Sequence, residues 1–539
     1  HGATIGDLSG NFTQNYAQST SGNAYGGAIY NYQSAIGDIT GNFTGNYVQS
    51  TSGQANGGVI HNQGTSTSAV ASIITSINGN FDGNYAISGG RASGGAINNN
   101  NYSEITNGIN GNFTNNYVKN SGLARGGAIS NVGKISSITA KTSDGFKGNY
   151  AESSGTGAMG GALFNQCVTS EHGQIDSITS NFTNNYAYAT SASGYAYGGA
   201  IYNKVASAVI GNVRGDFTNN YAIATGSGAA QGGAIYNNHA QITLTDSNFT
   251  GNAATTAGGA IYNTGTANII ANGANVIFSN NKTGVTPVLD AEGKITGVTG
   301  GVANDIHNTG TLNLKAADGK SITFGGTITD AATPTGTINI GNQGSETDYT
   351  GTVNFNNTVT QNALNIASGT VNVGASNLKI KNGVSNAGTI NLGAGTLSSG
   401  ITNYDSTNGV INLTENINVD SSIENNTLNI GGHTLTLQDD AALNLIGFTN
   451  NNGSLIASGN GKLDTINLGD YTGTGTLAYA IDVALATTSA DMINANSGSA
   501  GEIALASNAV NITSGTTNLF SKVMISNSVL IMWISVQNN

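Results

Sequence analysis

Residues 180–203 contain both motifs of the repeat that decides the fold: Ser180-Asn-Phe-Thr-Asn-Asn-Tyr-Ala187 and, after a Ser/Ala/Gly/Tyr loop, Gly198-Gly-Ala-Ile-Tyr-Asn203. The first motif, Phe-x-x-Asn, occurs nine times between residues 12 and 281. The second, Gly-Gly-[Ala/Val]-[Ile/Leu]-x-Asn, occurs eight times between residues 26 and 263, and the two alternate strictly. Successive Phe positions lie 29 to 38 residues apart. Fixed motifs joined by loops of variable length are typical of solenoids.

Each repeat contains three short apolar stretches separated by turn residues, which predicts one three-sided coil of a β-solenoid per repeat. Helices are disfavoured because Gly and β-branched residues crowd the apolar stretches without a 3.6-residue period. Parallel strands about 4.8 Å apart would place each Phe over the preceding Phe and each Ile over the preceding Ile. The predicted fold class is therefore all-β, a parallel β-helix.

The first motif carries a Phe that we expect inside the coil and an Asn three residues later. Asn tolerates left-handed backbone conformations and bonds to nearby backbone, so it can end a strand and turn the chain. Stacked Asn side chains can also pass hydrogen bonds from coil to coil as a ladder. The nine pairs are Phe12 and Asn15, Phe43 and Asn46, Phe81 and Asn84, Phe113 and Asn116, Phe146 and Asn149, Phe182 and Asn185, Phe217 and Asn220, Phe249 and Asn252, and Phe278 and Asn281.

The second motif opens with a Gly pair and ends on a second Asn column. Such a pair suits a position with positive φ or with no room for a Cβ atom. A phosphate-binding loop would need a following helix, which the pattern does not contain. The assigned pairs are Gly26 and Gly27, Gly57 and Gly58, Gly94 and Gly95, Gly126 and Gly127, Gly198 and Gly199, Gly232 and Gly233, and Gly258 and Gly259. The second Asn column contains Asn31, Asn62, Asn99, Asn131, Asn165, Asn203, Asn237 and Asn263.

Changes in the repeat define three regions. Residues 1–285 carry the two motifs. Residues 286–480 repeat four-residue words such as Thr337-Ile-Asn-Ile340, whose alternation predicts a continued β-helix with shorter coils, apolar side chains inward and Thr and Asn outward. Because Gly301-Val-Ala-Asn-Asp-Ile-His-Asn308 is similar to a decayed second motif, we expect no flexible linker at the change. Residues 481–539 form a distal passenger segment that we expect to be truncated. We expect its apolar tail, residues 529–536, to be either an ordered strand or the product of a broken reading frame.

The composition is polar but almost uncharged, with 8% charged residues against a usual share of about 25%. The net charge of −12 without a basic cluster argues against nucleic-acid binding and against an electrostatic membrane anchor. With one cysteine, Cys167, no intrachain disulfide framework is expected, and a small apolar role is favoured over a catalytic thiol. The chain begins at His1 without a signal peptide, so we expect a removed signal or a fragment.

The histidines invite a metal-site hypothesis, but two of them are explained by the repeat. His61 and His307 fall where other copies of the second motif place Tyr30 and Tyr202. No His or Cys pair has zinc-ligand spacing. We therefore expect neither a metal nor a cofactor.

Arg214-Gly215-Asp216 spells the tripeptide that many integrins recognise. In this chain Gly215-Asp216-Phe217-Thr218 aligns with Gly41-Asn42-Phe43-Thr44, which places the triplet on the approach to a strand. Integrin recognition is the lesser alternative, because loops and not scaffold strands usually carry binding.

The alternation of Phe-x-x-Asn with Gly-Gly-Ala-[Ile/Leu] over residues 12–281 resembles the polymorphic outer-membrane proteins of chlamydial type. Residues 473–512, with Leu477-Ala-Tyr-Ala-Ile-Asp-Val483, look like the distal part of an autotransporter passenger. The resemblance implies a right-handed parallel β-helix displayed at the cell surface, in the outer membrane or outside a Gram-negative bacterium. It also implies membrane attachment through a translocator barrel, whose strands of about 10 alternating residues this sequence does not contain.

The family further implies adhesion or self-association, with an unidentified host-cell or bacterial surface receptor as the partner. A polysaccharide lyase or glycosidase is the rival, because such enzymes also use parallel β-helices. They need carboxylates converging in a groove, and the 16 basic residues leave little for binding an acidic sugar. We expect no enzyme, and a passive surface layer is the remaining alternative. The carboxylates, scattered one per repeat, are Asp38, Asp82, Asp144, Asp176, Asp216 and Asp246.

Overall fold

The computed structural model describes residues 2–65, 72–168, 173–404, 409–438, 441–457, 465–473 and 493–496 in full, and the backbone of further strands between 476 and 536. It contains two compact units, residues 1–315 with 322–336 and residues 316–321 with 337–539. Within each unit, strands of successive coils pair in parallel and in register. The all-β parallel β-helix predicted from the repeat is confirmed.

The coils up to Gln231 contain strands of five sheets, which we number one to five in chain order, and the later coils of the first unit have no strand in sheet four. The Phe and the Asn of the first motif lie on either side of a bend, and the loop before the Gly pair supplies one more strand. The coil therefore has more strands than the apolar stretches suggest. Sheet one contains Thr4–Ile5, Leu8–Ser9, Ala35–Thr40, Ser72–Asn78, Ser103–Ile105, Ile109–Asn110, Lys134–Thr139, Gln174–Thr179, Val209–Arg214, Gln241–Thr245, Thr266–Ala271 and Thr311–Ala316.

Sheets two to five complete the coil. Sheet two contains Phe12–Thr13, Phe43–Thr44, Phe81–Asp82, Phe113–Thr114, Phe146–Lys147, Phe182–Thr183, Phe217–Thr218, Phe249–Thr250, Val276–Ser279 and Ser321–Phe324. Sheet three contains Tyr16–Ser19, Tyr47–Ser50, Tyr85–Ser88, Tyr117–Asn120, Tyr150–Ser153, Tyr186–Ala189, Tyr221–Ala224, Ala253–Ala254 and Lys282–Leu289. Sheet four contains Ala24–Tyr25, Gln54–Asn56, Arg91–Ser93, Leu123–Arg125, Gly157–Met159, Tyr195–Tyr197 and Ala230–Gln231. Sheet five contains Ile29–Tyr32, Ile60–Gln63, Ile97–Asn99, Ile129–Asn131, Leu163–Gln166, Ile201–Lys204, Ile235–Asn238, Ile261–Asn263, Ile295–Asn308 and Thr327–Thr329.

One column of Phe side chains runs through the interior behind sheet two. Phe43, Phe81 and Phe113 are successive Cα partners, are fully buried, and stack with ring centroids 4.4 and 4.7 Å apart. The column runs from Phe12 to Phe324, the last of which lies outside the motif. Adjacent parallel strands are about 4.8 Å apart, so identical rings on them stack face to face. The prediction of one coil per repeat is confirmed.

The first Asn column forms a continuous ladder inside the coil. The backbone N–H and Nδ2 of Asn185 both donate to Oδ1 of Asn220, at 3.1 and 3.0 Å, and Nδ2 also donates to the carbonyl of Phe146 at 2.9 Å. Asn149 donates to Oδ1 of Asn185 in the same way. Since each amide is used in both directions, the ladder ties a coil to both of its neighbours.

The second Asn column forms a similar ladder at the end of the second motif. Nδ2 of Asn131 donates to Oδ1 of Asn165 at 2.8 Å, and Nδ2 of Asn165 donates to Oδ1 of Asn203 at 2.9 Å. All three side chains are fully buried. Both predicted Asn ladders are therefore present.

The Gly pair has no room for side chains. Gly94 has a φ of +66°, and a Cβ atom on it would lie 2.1 Å from the carbonyl oxygen of Ile97. A Cβ atom on Gly95 would lie 2.1 Å from the carbonyl oxygen of Gly127 in the next coil. The first Gly is required by the left-handed turn and the second by the close stacking of coils.

The first Asn ladder ends on a carboxylate. Nδ2 of Asn281 donates to Oδ1 of Asp305 at 2.8 Å, and the backbone N–H of Gly326 donates to Oδ2 at 2.7 Å. Burial raises the pKa of Asp305 to about 6, although the hydrogen bonds from Asn281, Gly326 and Gly325 oppose the rise. A carboxylate fits this end of the ladder because it accepts on both oxygens.

The second unit has shorter coils. Asn372 Nδ2 donates to Asn354 Oδ1 across 18 residues, and Asn391 Nδ2 donates to Asn372 Oδ1 across 19 residues, so the Asn of the four-residue words forms an outward ladder. The apolar Val353 and Val371 face inward and are fully buried. The inward and outward orientations predicted for this region are confirmed.

The strands of the second unit fall into several columns. One column contains Thr337–Ile340, Ala363–Ile366, Val384–Asn386, Ile401–Thr402, Ser422–Glu424, Ala442–Asn444, Thr465–Asn467 and Met492–Asn494. The next contains Thr352–Phe355, Thr370–Gly374, Thr389–Gly393, Gly409–Leu413, Asn426–Asn429, Gly447–Asn450, Asp470–Gly473 and Ala500–Gly501. Beside them lie Val359–Gln361 with Leu378–Ile380, the 3₁₀ helix Ala375–Asn377, and the column Gly395–Leu397, Ile417–Val419, Thr434–Leu437, Ser454–Ala457, Thr476–Tyr479 and Ala504–Leu505.

The distal segment contains Ile481–Ala484, Ser489–Ala490, Val510–Ser514, Leu519–Ser526 and Val529–Val536. The last two strands pair antiparallel, so the apolar tail forms a strand. The side chains of the passenger-like stretch 477–483 lie outside the described residues.

Replacing Asn185 with Ala tests the ladder. The change removes hydrogen bonds to both neighbouring coils from a fully buried position, so we expect the free energy of unfolding to fall by about 1–3 kcal/mol. The matched control is Asn110→Ala, at an exposed position of sheet one. Chemical denaturation measures both, and equal losses would contradict a structural ladder.

Replacing Asp305 with Asn tests the buried carboxylate. Because its folded-state pKa is raised, the folded protein binds this proton more tightly than the unfolded chain between about pH 4 and pH 6. The stability that Asp305 contributes is therefore present at low pH and is lost as the pH rises through about 6. We expect the melting temperature of wild type minus that of Asp305→Asn to decrease from pH 4 to pH 7. A constant difference would contradict the raised pKa.

Candidate interaction surface

The Phe and Asn residues selected from the repeat lie together in space, but inside the coil. From Phe43 to Phe278 each Phe of the first motif is at most 1% exposed, and the same holds for the Asn column from Asn46 to Asn281. These side chains contact neighbouring coils. The surface that meets other molecules is therefore built from different residues.

A third polar column, which we did not infer from the sequence, consists of the residues immediately before the Phe column and includes Asp216 of the Arg-Gly-Asp triplet. The backbone N–H of Asp216 donates to Oδ1 of Asn181 at 2.9 Å, and both the backbone N–H and Nδ2 of Asn248 donate to Oδ1 of Asp216. Asn or Asp immediately before Phe in most copies was the available signal. The triplet begins at Arg214, the last residue of the strand Val209–Arg214. Arg214 pairs with Asp246 at 2.8 Å, so both charged side chains of the triplet are engaged by the scaffold.

The histidines and the cysteine lie at ordinary repeat positions. His61 is the Cα partner of Tyr30 and stacks on Tyr25 with ring centroids 4.7 Å apart, while His307 pairs with the last Tyr of the same column. Burial lowers the pKa of His61 to about 4. Cys167 is buried among alanines. Over the described ranges, no group of three His, Cys, Asp or Glu side chains could hold a metal ion.

Two of the scattered carboxylates are bound by their own surroundings. Asp246 accepts from Arg214 and from the backbone N–H groups of residues 272–274. Burial opposes its ionisation, but these hydrogen bonds prevail and lower the pKa of Asp246. Asp144 pairs with Lys147 at 3.0 Å. Asp246 is thus held by the scaffold, whereas Asp144 forms an exposed ion pair.

A ladder of tyrosines runs along the outer side of sheet three. In seven of the nine copies Tyr follows the Asn of the first motif directly. From Tyr16 to Tyr186 the rings stack with centroids 4.8 to 5.2 Å apart. This column was not inferred from the sequence. The tyrosine ladder consists of Tyr16, Tyr47, Tyr85, Tyr117, Tyr150, Tyr186 and Tyr221.

A hairpin covers one half of the tyrosine ladder. Its strands, Lys282–Leu289 and Ile295–Asn308, pair antiparallel, and Val285 and Ile295 pack against the rings of Tyr150, Tyr186 and Tyr221. Burial raises the pKa of Tyr186. In the other half Tyr16 is 61% exposed, whereas Tyr47, Tyr85 and Tyr117 are half-buried and Tyr117 borders the covered cluster. We call residues 16, 47, 85 and 117 the open half and residues 150, 186 and 221 the covered half.

A second aromatic row lies where sheet four meets sheet five. Its side chains point outward from the strands, yet Phe164 is fully buried and Tyr202 is 2% exposed. Tyr197, before the Gly pair, lies with its ring centroid 5.0 Å from that of Tyr236 in the next coil. Burial on the outer side shows that the bend at the Gly pair is concave toward solvent. We call this region the corner.

Comparisons with known proteins found no match: no family model, no curated protein and no solved structure is significantly similar to the chain. Among the described residues, no helix is long and apolar enough to cross a membrane.

Nitration with tetranitromethane tests the division of the tyrosine ladder. We expect Tyr16 and the isolated Tyr404, which is 80% exposed, to react first, and Tyr186 to be protected. The Ile295→Asp variant should loosen the hairpin and make Tyr186 reactive, because the variant places a charge against an apolar cluster. Peptide mass spectrometry measures the products. Equal reactivity of Tyr16 and Tyr186 in wild type would contradict the assignment.

Proposed function

We propose that this chain is the passenger of an autotransporter of the polymorphic outer-membrane protein type, displayed on a Gram-negative cell, and that it acts as an adhesin or self-association surface. The open half of the tyrosine ladder carries the proposal. Its stacked rings form a row in which Tyr16 is exposed and Tyr47, Tyr85 and Tyr117 are half-buried. Tyr is enriched at protein interfaces because a rigid apolar ring and a polar tip contribute to the same contact.

The covered half supports the open half as a contact surface. There the chain's own hairpin places Val285 and Ile295 on the same tyrosine row. The row is therefore chemically suited to receive a polypeptide with apolar side chains. A partner that bound the open half would continue an interaction that the molecule already makes with itself.

The repetition supports a multivalent mode of binding. Successive rings are equivalent and 4.8 to 5.2 Å apart, so each offers the partner a similar weak contact. Many such contacts give avidity when many copies are present on one surface. Neither a pocket nor a cofactor is required. A passive coat and a glycan-cleaving enzyme remain the competing hypotheses.

Adhesion of coated beads tests the proposal. Beads carrying the full chain should bind cultured cells or one another, and the triple variant Tyr47→Ser, Tyr85→Ser, Tyr117→Ser should lower binding about tenfold, as expected when central aromatic contacts are removed. Tyr404→Ser is the matched control, since it removes an exposed tyrosine outside the ladder. Asp216→Glu should bind as wild type does.

The outcomes separate the hypotheses. Unchanged binding by the triple variant, with its circular dichroism retained, would exclude the ladder as the contact surface. Loss of binding in Asp216→Glu would favour integrin recognition. Wild-type beads that bind neither cells nor one another would favour a passive coat, and depolymerisation of a glycan by the purified chain would favour an enzyme.

A further inference from the structure

Two arginines that are distant in the sequence are neighbours on sheet four. Arg91 and Leu123 are Cα partners, as are Ser93 and Arg125, so the two arginines are diagonal neighbours on adjacent strands. Long side chains reach one another at that separation. Since like charges on adjacent strands repel, this pair calls for an anionic partner.

The scaffold does not provide that anion. Nη2 of Arg91 donates to Oε1 of Gln54 at 2.8 Å, but the buried Nε atoms of Arg91 and Arg125 have no hydrogen-bond partner. In the part of the chain that the structure describes, no ion pair includes either guanidinium. Nδ2 of Asn56 donates to the same Gln54 oxygen at 3.2 Å, whereas its Oδ1 is buried without a partner. The corner thus presents two cationic donors beside an acceptor.

The uncompensated charge is partly removed from water. Burial and then the charge of Arg91 lower the pKa of Arg125, and burial and then the charge of Arg125 lower that of Lys204. A guanidinium nevertheless stays protonated in proteins, so the positive charge persists in the corner. An oxyanion between the arginines would accept from both Nε–H groups and offset their repulsion.

Aromatic rings flank the arginines. The guanidinium carbon of Arg125 lies 5.2 Å from the ring centroid of Phe164. The ring of Tyr195 lies over Gly157, where a Cβ atom would be 2.3 Å from it, and stacks on Tyr197 with centroids 4.7 Å apart. Aromatic faces beside a few convergent polar groups are typical of ligand sites.

We infer that the corner binds an acidic sugar residue of a polysaccharide, whose carboxylate or sulfate is held by Arg91 and Arg125. Oδ1 of Asn56 accepts from a hydroxyl of the same sugar. A simple anion would leave the Asn56 acceptor unsatisfied. An acidic sugar carries its oxyanion and its hydroxyl groups on one rigid ring, whereas an acidic peptide carries the oxyanion on a flexible side chain. The site uses sheets four and five, and it does not depend on the tyrosine ladder of sheet three.

Isothermal titration calorimetry with the full chain tests the inference. The probes are polygalacturonate oligosaccharides for a carboxylate, heparin oligosaccharides for a sulfate, neutral dextran, and poly-L-glutamate for an acidic peptide. We expect one of the acidic oligosaccharides to bind and dextran not to bind. Arg91→Gln and Arg125→Gln should weaken binding about 10- to 100-fold, as for lost hydrogen bonds to a charged group. Lys141→Gln, at an exposed cation of the same unit, should leave it unchanged.

A further variant separates binding from folding. Asn56→Asp places a carboxylate beside the two arginines, so we expect a raised melting temperature together with loss of acidic-sugar binding. A merely structural role of the arginines predicts no effect on binding once the variants are folded. The inference is overturned if neither acidic oligosaccharide binds, if the Arg variants bind as wild type does, or if poly-L-glutamate binds as tightly as the oligosaccharides. None of these outcomes bears on bead adhesion through the tyrosine ladder.

Discussion

The stacking register of the coils depends on the buried asparagine side chain. An amide has a donor and an acceptor, and in this protein Asn185 uses both at once, accepting from Asn149 and donating to Asn220. Leaving either group unsatisfied in the interior would cost free energy. A shift of register by one residue would break these bonds in every coil, so the register is strongly specified. In that register each Phe stacks on the Phe of the preceding coil, and each Gly pair stacks on the preceding Gly pair.

The same repetition explains where the scaffold stops repeating. The Asn ladder needs an acceptor at its end, and Asp305 accepts from Asn281 on one oxygen and from Gly326 on the other. Between Asn281 and Asp305 the chain inserts a hairpin, which turns back over the tyrosine ladder. The insertion therefore shields the end of an aromatic row that would otherwise face water. One irregular segment decides which tyrosines can meet a partner.

The side chains that we propose to bind a ligand occupy outward positions where the residue type differs from coil to coil. Inward positions vary little, exchanging only apolar residues such as Val48 and Ala86, because each must pack against the side chains above and below. Outward positions of sheet four are free of that constraint. They carry Arg91 beside Leu123, Arg125 beside Met159, and Tyr195 beside Gly157 in the neighbouring coils. Two partly buried guanidinium groups without a counter-ion cost folding free energy. Such a cost is reasonable where a ligand supplies the missing charge.

Much of the fold was determined by the sequence alone. Phe81, Asn84, Gly94 and Gly95 could be placed in columns because parallel strands at a fixed spacing bring every copy of a motif over the previous one, whatever the loop between them. That reasoning needs only the order of the motifs. It therefore predicted which side chains lie inside the coil, and it predicted strands and not helices.

Only the tertiary structure decided what the surface presents. The number of strands per coil, the concave corner and the pairing of Arg91 with Arg125 depend on how the loops between the motifs bend, and those loops do not repeat. The pKa of Asp305 and the covering of Tyr186 depend on segments that are distant in the sequence. A repeated motif is constrained by its own copies, whereas an outward side chain is constrained by whatever packs beside it. The interior could therefore be predicted from the sequence, because the motif copies constrain one another. The binding surfaces could not, because they depend on which segments pack beside each outward side chain.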